Sequence, residues 1–181
     1  MLLDTPVCNF GWKAPDFTLF NPDGESQSLA DAMGENGLLI AFICNHCPYV
    51  RAVIDRLVDD AQTLQQEGIG VVAIMSNDYR HVAADSPAQM NLFAEKHGFT
   101  FPYLVDEDQS VGRAYDAVCT PDFFGFNNKA ELQYRGRLDD TGMRGSGKRT
   151  PELLNAMRQI AQTGHGPQQQ MPSMGCSIKW R

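Results

Sequence analysis

Hydrophobic positions change their spacing within residues 38–64. Residues 38–43 form an unbroken apolar run of branched and aromatic side chains, which is typical of a strand buried on both faces. From Val50 onward, apolar residues recur every three or four positions with charged residues between them, which is the period of an amphipathic helix. Pro48 suits a first helical turn, and Gly68 can adopt the left-handed conformation that ends a helix. The pattern therefore predicts a strand, a tight connection and a long helix.

The same two periods predict the other elements. Residues 17–20 and 27–29 flank an Asn-Pro-Asp-Gly turn, which indicates an N-terminal β-hairpin. Residues 69–75 predict a second buried strand, parallel to the first because a helix links the two. The remaining predicted elements are a short helix at 28–33, a helix from Pro87 to Gly98, a strand at 101–105, a short helix after Asp108, a hairpin of 122–126 with 131–134, and a last helix after Pro151.

The two ends of the chain show no such period. We expect residues 1–12 to be irregular and residues 164–181, which include a glutamine triplet, to form an extended tail. Neither an internal repeat nor a linker divides the part between them. We therefore expect a single α/β domain over residues 1–163, with a hairpin extension at 13–33. Its central sheet should mix parallel and antiparallel strands and carry helices on both faces.

Composition and charge restrict the partners. The chain has 181 residues, of which 43% are hydrophobic and 20% charged, and it is long enough for one well-packed domain. A net charge of -7, a pI near 5.0 and the lack of a basic run argue against nucleic acid and anionic membranes as partners. No stretch reaches transmembrane length, and the N-terminus does not resemble a signal peptide, so we expect a cytoplasmic location.

The cysteines point to redox chemistry. Five cysteines at uneven spacing do not form a disulfide framework, and in a reducing compartment a C-x-x-C motif is more often catalytic or metal-binding. Cys44 and Cys47 straddle the predicted helix start with His46 between them, where free backbone N–H groups, the helix dipole and a protonated imidazole all favour a thiolate. We predict that Cys44 is the more exposed sulfur, has the lower pKa and attacks a disulfide, and that Cys47 resolves the mixed disulfide. A Cys44 that is sealed from solvent, or that does not react with alkylating agents under mild conditions, would contradict the redox assignment.

Three motifs together resemble the redoxin branch of the thioredoxin-like superfamily, which includes the alkyl hydroperoxide reductase and thiol-specific antioxidant proteins. Ala-Pro-Asp-Phe-Thr-Leu at 14–19 is similar to the N-terminal hairpin of that branch, the C-N-H-C segment stands at its dithiol position, and Thr120-Pro121 stands at its proline. The helix and strand inserted between residues 69 and 105 match this branch better than minimal thioredoxin. The resemblance covers about residues 13–163.

The resemblance implies a thioredoxin-like fold in which Pro121 is cis and lies beside the dithiol. It also implies that a backbone edge at Thr120 stays unpaired, so that an extended substrate can bind there while its disulfide meets Cys44. The implied activity is thiol-disulfide exchange with a protein or small-molecule disulfide. A reductase or dithiol donor would regenerate the dithiol, and no organic cofactor is implied.

The chain departs from the related families near the dithiol. The strand at 38–43 holds no buried carboxylate that could accept the proton of Cys47, so the route of deprotonation stays open. A peroxiredoxin needs threonine three residues before its peroxidatic cysteine, where this chain has Ala41 before Cys44 and Cys44 before Cys47. Thiol peroxidase activity is therefore the alternative function, although Cys47-Pro48 is similar to the peroxiredoxin Cys-Pro step.

The other cysteines leave further alternatives. Cys119 should lie near the dithiol through its closeness to Pro121, either as a third redox thiol or, as we favour, as a packed core residue. Cys176 could fold back as an extra resolving thiol or be an inert packed thiol, and Cys8 is taken as incidental. A metal or partner-binding module would draw its ligands from Cys44, Cys47, Cys119, Cys176 and His46. We predict no metal site, because the second pair of cysteines is not a C-x-x-C knuckle.

Residues 142–148 match the first seven positions of a phosphate-binding loop. Arg149 then stands where such a loop needs serine or threonine to hold magnesium, and the segment follows an antiparallel hairpin. We therefore expect a basic loop without nucleotide.

Overall fold

A computed structural model describes residues 1–145 and 147–181. Every element predicted between residues 17 and 163 is present, with ends displaced by a few residues. The strands are β1 (Leu2–Asp4), β2 (Thr18–Phe20), β3 (Ser26–Ser28), β4 (Leu38–Phe42), β5 (Gly70–Met75), β6 (Tyr103–Val105), β7 (Cys119–Thr120), β8 (Asp122–Phe126), β9 (Leu132–Tyr134) and β10 (Met174–Ser177). The helices are α1 (Leu29–Ala32), α2 (Pro48–Gln66), α3 (Pro87–His97), α4 (Ser110–Ala114) and α5 (Glu152–Thr163), with short 3₁₀ turns at Ala83–Asp85 and Gly142–Arg144.

The central sheet has seven strands in the order β3-β2-β6-β5-β4-β8-β9. Strand β4 pairs in parallel with β5 and antiparallel with β8, and all five of its residues are buried. Burial on both faces explains its unbroken apolar run, because neither face meets water. The β2–β3 hairpin joins the sheet through an antiparallel contact with β6. The predicted mixed sheet is confirmed.

Helices cover both faces of this sheet, and each face has its own apolar cluster. On one face, α2, α3 and α5 contribute residues such as Ile54, Met90 and Met157. On the other face, Tyr115 at the end of α4 packs with Phe42 and Phe124 in tilted or edge-to-face geometry. Helices on both faces were predicted, because a sheet hydrophobic on two sides must be covered twice.

The two ends of the chain form a second sheet, which the sequence pattern did not predict. Its three strands run in the order β1-β10-β7, and both pairings are antiparallel. The expectation of an irregular N-terminus is therefore wrong at Leu2–Asp4, and the predicted extended tail contains a docked strand. Strands of three or four residues are too short to show an alternating pattern. The boundary at residue 163 between domain and tail stays a prediction.

The basic loop is held by ion pairs. Arg149 contacts Asp60 at 2.5 Å and Asp139 at 3.3 Å, and Arg56 contacts Asp139 at 2.7 Å. The arginine that replaces the magnesium-binding hydroxyl of a phosphate loop thus joins a buried carboxylate cluster. Ser146, inside the segment that matches the phosphate-loop pattern, lies outside the described residues. Among the helices of the part that is described, none combines the length and apolar character needed to cross a membrane.

We predict that Arg135→Met lowers the free energy of unfolding by about 3–5 kcal/mol, because it leaves the buried Asp122 carboxylate without its cation. Arg135 donates to Asp122 at 3.0 Å, lies over the Phe124 ring at 4.3 Å, and is itself buried. Urea unfolding is the measurement. The matched control is Arg158→Met, whose ion pair with Glu67 is largely exposed and should cost at most about 1 kcal/mol. Equal losses in the two variants would contradict this prediction.

Candidate active site

The C-N-H-C segment connects the central strand to the longest helix. Cys44 follows the end of β4 by two residues, and Cys47 immediately precedes Pro48, the first residue of α2. The backbone of Cys47 is extended, and Pro48 takes a helical position whose missing N–H has no intrahelical partner to lose. The N-terminal N–H groups of α2 are therefore free to meet a group at Cys47. The predicted placement of the dithiol at a strand-to-helix junction is found in the structure.

Thr120 contacts both sulfurs. Its hydroxyl oxygen lies 3.3 Å from the Cys44 sulfur, and its carbonyl oxygen lies 3.2 Å from the Cys47 sulfur. The Thr120–Pro121 peptide bond is cis, as the resemblance implied. The structure thus brings together four of the predicted site residues, namely Cys44, Cys47, Thr120 and Pro121.

Both sulfurs are sealed from solvent. Cys44 is 1% exposed and Cys47 is 0% exposed, so the expectation that Cys44 is the more exposed sulfur is wrong. The reason is the C-terminal strand: β10 pairs with β7 and also packs against α2. It covers the side of the dithiol that the sequence pattern left open. This burial stands against the redox assignment in the form that the sequence predicted, with an exposed nucleophile, because an external partner can reach Cys44 only after some local movement of the chain.

The two thiols hold one proton between them through a mutual hydrogen bond. This bond raises the pKa of Cys44, as do burial and the Asp85 carboxylate, while the Thr120 hydroxyl opposes the rise. The same bond lowers the pKa of Cys47 to about 4, against burial and with help from the Val50 N–H at the start of α2. The lower pKa thus falls on Cys47, the sulfur at the helix N-terminus, and not on Cys44 as predicted.

Asp85 is the functional residue that the sequence reading missed. It is 0% exposed, and its carboxylate accepts from the backbone N–H groups of Asn45 at 2.8 Å and His46 at 3.3 Å, and from the Asn77 side chain at 2.8 Å. His46 Nδ1 lies 2.7 Å from the same carboxylate. Four contacts compensate the burial of the charge. A sequence search along β4 alone could not find this carboxylate, because it comes from the 3₁₀ turn before α3.

The backbone of the C-N-H-C segment is fixed by further hydrogen bonds. Tyr103 donates its hydroxyl to the Asn45 side chain at 2.8 Å, and Arg51 donates to the Asn45 carbonyl at 2.8 Å. Burial, together with the charges of Cys44 and Asp85, raises the pKa of Tyr103, so this hydroxyl keeps the proton that it donates. The turn between the cysteines is thus held from β6, from α2 and from the Ala83–Asp85 turn.

The side chains of Cys44, His46 and Asp85 form a compact donor group. One ligand atom from each lies within 4.8 Å of the other two. Cys119 and Cys176 do not join a group of metal-ligand spacing in the described parts of the chain. Of the donors that the sequence offered for a metal module, the fold thus collects Cys44 and His46 and adds Asp85.

The backbone edge expected to receive a substrate is already occupied. Cys176 pairs with Thr120 and Ser177 with Cys119 in the antiparallel β10–β7 ladder. Gly175 permits this approach, since a Cβ there would lie 1.9 Å from the Thr120 carbonyl oxygen. The expectation of an unpaired edge at Thr120 is wrong, because the tail of the same chain fills it.

Cys119 and Cys8 behave as packed thiols. The Cys119 sulfur lies 3.7 Å from the Pro121 carbonyl oxygen, and burial raises the pKa of Cys119. Burial also raises the pKa of Cys8, to about 11. Both groups therefore keep their protons at neutral pH, which favours the packing alternative for Cys119.

Comparisons with known proteins place this geometry among thiol enzymes. The sequence model of the AhpC/TSA family matches residues 10–136, a range that includes both cysteines of the dithiol and Pro121 but not β10. Peroxiredoxin Bcp of Escherichia coli strain K12 is 29% identical over 112 residues, which cover 62% of this chain and 67% of that protein.

Solved structures share the fold. The crystal structure of an uncharacterized conserved protein from Geobacillus kaustophilus is 40% identical, with a TM-score of 0.94, and the match covers 100% of this chain and 97% of that one. The thioredoxin domain of a thiol-disulfide oxidoreductase from Bacteroides vulgatus is 17% identical, with a TM-score of 0.65, over 84% of this chain and 97% of that one. The predicted thioredoxin-like fold is confirmed.

We predict that the reduced protein keeps a thiolate until the pH falls through about 4, because the lowered pKa of Cys47 leaves this sulfur ionised above that value. The measurement is the thiolate absorbance at 240 nm, followed from neutral to acidic pH, whose midpoint gives the pKa of the thiol. Cys44→Ala should move the midpoint upward, because it removes the hydrogen-bond donor that lowers the Cys47 pKa most. Cys8→Ser is the control and should change nothing. A midpoint near the ordinary thiol pKa in the wild type would contradict the shared-proton arrangement.

We also predict that Asp85→Asn lowers the pKa of Cys44 in a Cys47→Ser background, since the Asp85 charge is one of the causes that raise it. Removing the charge should speed alkylation of Cys44 by iodoacetamide at neutral pH, by up to about tenfold for one pKa unit. Asp78→Asn is the matched control, because Asp78 is a buried carboxylate paired with His81 at 2.6 Å. If Asp85→Asn leaves the alkylation rate of Cys44 and its dependence on pH unchanged, the Asp85 charge does not raise the pKa of Cys44.

Proposed function

The chain belongs to the AhpC/TSA family, and from this premise we propose that it is a thiol-disulfide oxidoreductase whose redox couple is Cys44 and Cys47. One observation carries the proposal: at the N-terminus of α2 the two sulfurs lie 3.3 Å and 3.2 Å from the hydroxyl and carbonyl oxygens of a single residue, Thr120, and the pKa of Cys47 is lowered there. A thiolate beside a second thiol has both the nucleophile and the resolving group that disulfide exchange requires.

The shared proton lets either sulfur act. When the proton moves along the hydrogen bond from Cys44 to Cys47, the negative charge moves to Cys44, and the Thr120 hydroxyl can donate to it over 3.3 Å. The Cys44 thiolate attacks a substrate disulfide, which forms a mixed disulfide and releases one substrate thiolate. Cys47 then loses its proton to that leaving group and attacks the Cys44 sulfur. The products are a Cys44–Cys47 disulfide, one substrate thiol and one substrate thiolate, which takes its proton from water, so atoms and electrons balance.

The residues around the couple have positioning roles in this scheme. Asp85 holds His46 at 2.7 Å, and a protonated His46 places positive charge beside Cys44. Thr120 and cis Pro121 keep a hydroxyl and a carbonyl oxygen against the two sulfurs. These contacts support the site residues expected from the resemblance, with Asp85 added to them.

The proposed substrates are protein or small-molecule disulfides, and the proposed reductant is a reductase or a dithiol. The proposed location is the cytoplasm, because five cysteines at uneven spacing are not the disulfide framework of a secreted domain. Because both sulfurs of the couple are buried, the first attack on a substrate requires the residues that cover Cys44 to move. A rigid, bulky disulfide should therefore react more slowly than a small or flexible one.

A thiol peroxidase is the second candidate, favoured by the lowered pKa of Cys47 at a helix N-terminus. In that reaction the Cys47 thiolate attacks a hydroperoxide, which yields a sulfenic acid and an alcohol or water. Cys44 then condenses with the sulfenic acid, giving the same disulfide and one water. The two candidates differ in the oxidant and in the cysteine that is attacked first.

We predict that the reduced wild type converts one equivalent of oxidised glutathione to thiols and gains an internal disulfide in the tryptic peptide 14–51. Cys44→Ser and Cys47→Ser should each lower turnover by at least about a hundredfold, or about 2.7 kcal/mol of barrier, because each removes one half of the couple. Cys8→Ser is the control and should retain wild-type turnover. Stopped-flow mixing under anaerobic conditions, first with the disulfide and then with hydrogen peroxide, measures both activities.

Wild-type turnover in Cys44→Ser would contradict the proposed disulfide exchange. Faster oxidation by hydrogen peroxide than by the disulfide, with a sulfenic acid trapped at Cys47, would replace it with the peroxidase. Metal bound tightly at purification and released when Cys44, His46 or Asp85 is substituted would favour the binding-module alternative.

A further inference from the structure

A third thiol lies against the couple, on the strand that occupies the Thr120 edge. Cys176 is the partner of Thr120 in the antiparallel β10–β7 ladder, and directly opposite residues of such a ladder project their side chains to the same face. The Thr120 hydroxyl on that face is already 3.3 Å from the Cys44 sulfur. The register alone therefore directs the Cys176 side chain toward the dithiol.

The same register brings Cys176 close to Cys47. The Thr120 carbonyl oxygen lies 3.2 Å from the Cys47 sulfur, β10 packs against α2, and Cys176 packs against the apolar cluster that contains Cys47. After burial, a hydrogen bond to Cys47 is the largest cause that raises the pKa of Cys176. Of these three sulfur-bearing residues, Cys44 and Cys47 are buried while Cys176 is only partly buried.

The strand that carries Cys176 is anchored at both of its ends. Before it, Ser173 donates to the Pro121 carbonyl at 2.8 Å and pairs with Thr5 through two hydrogen bonds. After it, the Lys179 backbone exchanges hydrogen bonds of 2.8 Å with Asn77 and Asp78. Such anchoring holds the third thiol in place against the couple in the closed site.

We propose that Cys176 is a third redox-active cysteine, which exchanges disulfides with Cys47 and serves as the entry point for the external thiol reductant. This inference rests on the proposed function, because it needs a Cys44–Cys47 disulfide to act on. The observation that carries it is the register that sets the partly buried Cys176 opposite Thr120, the residue that contacts both sealed sulfurs.

The exchange balances without another reagent. The Cys176 thiolate attacks the Cys47 sulfur of the Cys44–Cys47 disulfide, a Cys47–Cys176 bond forms, and the electron pair leaves on Cys44, which takes up the proton that Cys176 gave away. An external thiolate then attacks Cys176 and releases Cys47 as a thiolate. A second thiol attacks the external sulfur of that mixed disulfide and frees Cys176, so two external thiols become one disulfide and all three cysteines end reduced.

Oxidation of the couple itself prepares Cys176 to attack. In the reduced protein, burial, the hydrogen bond to Cys47 and the negative charge of Cys47 raise the pKa of Cys176, against the nearby Lys179. When Cys47 enters a disulfide with Cys44, its charge is lost, so that part of the rise disappears while the Lys179 ammonium remains. Cys176 is therefore a donor thiol while the couple is reduced and ionises more readily once the couple is oxidised.

A cross-linking experiment tests the contact directly. Trypsin releases residues 14–51 and 159–179 as separate peptides, because neither range contains an internal lysine or arginine. In Cys44→Ser these peptides carry only Cys47 and Cys176, respectively. One equivalent of diamide, followed by blocking of free thiols in acid and non-reducing mass spectrometry, should yield the linked pair. The matched Cys47→Ser variant should yield at least about tenfold less of it, because Cys44 is not the sulfur that Cys176 contacts.

Two results would overturn the proposal. One is the absence of the linked peptides in Cys44→Ser, with both thiols recovered in blocked form. The other is an equal yield in Cys47→Ser. Wild-type protein in the same experiment reports separately on the proposed function, because a Cys44–Cys47 disulfide lies within the single peptide 14–51. If the wild type forms that disulfide while Cys44→Ser forms no link, only the role of Cys176 fails.

A kinetic experiment tests the entry point. Reduced glutathione is mixed with the fully oxidised forms of the wild type, Cys176→Ser and Cys8→Ser. The loss of the disulfide over time is followed by acid quenching and mass spectrometry. Cys176→Ser should be reduced at least about tenfold more slowly than the other two, since glutathione must then reach a sealed disulfide directly. Cys8 is a matched control because it is also a half-buried thiol. Equal rates in Cys176→Ser and wild type, with unchanged thermal unfolding, would overturn the proposal.

Discussion

A single hydrogen bond between two buried sulfurs organises the chemistry of this protein. Cys44 and Cys47 lie where the central strand β4 ends and α2 begins, so neither sulfur can move far without disturbing the core. Two thiolates at this separation would repel each other strongly in a site without water, whereas one thiol and one thiolate stabilise each other. The pair therefore holds one proton and one charge, and the helix N-terminus decides where the charge rests.

The surrounding residues lower the free-energy cost of burying this thiolate. The Cys44 thiol, the Val50 N–H at the start of α2 and Cys176 replace the hydrogen bonds that water would give to an exposed Cys47 thiolate. Asp85 works in the opposite sense at Cys44, because its negative charge favours the protonated thiol there. The difference between the two cysteines thus comes from their neighbours on three separate elements, and the tail strand that supplies Cys176 also seals the site.

Local patterns were enough to predict the elements that carry the dithiol. The apolar run of β4, the helical period from Val50 and the stop at Gly68 all depend on residues close in sequence, and so does the pairing of β2 with β3. The thioredoxin-like fold and the cis Pro121 followed from a resemblance that combines three short motifs.

Two features of the site could not be predicted from local patterns or from this resemblance. Asp85 reaches the site from a turn 40 residues away from Asn45, and β10 pairs with β7 across a much longer separation. Long-range placement of that kind leaves no local period in the sequence. For this reason Cys44 was predicted to be exposed and the Thr120 edge to be unpaired, whereas the structure buries Cys44 and pairs the edge with β10.

The central claim is that Cys44 and Cys47 form a reversible two-electron couple, and an equilibrium redox titration tests it most directly. Protein is equilibrated with reduced and oxidised dithiothreitol in varying ratio, free thiols are blocked in acid, and the internal disulfide of peptide 14–51 is quantified by mass. The account predicts one transition with a slope of about 30 mV for each tenfold change in the oxidised-to-reduced ratio. If both cysteines of that peptide stay blocked as free thiols even in the most oxidising buffer, the couple does not exist.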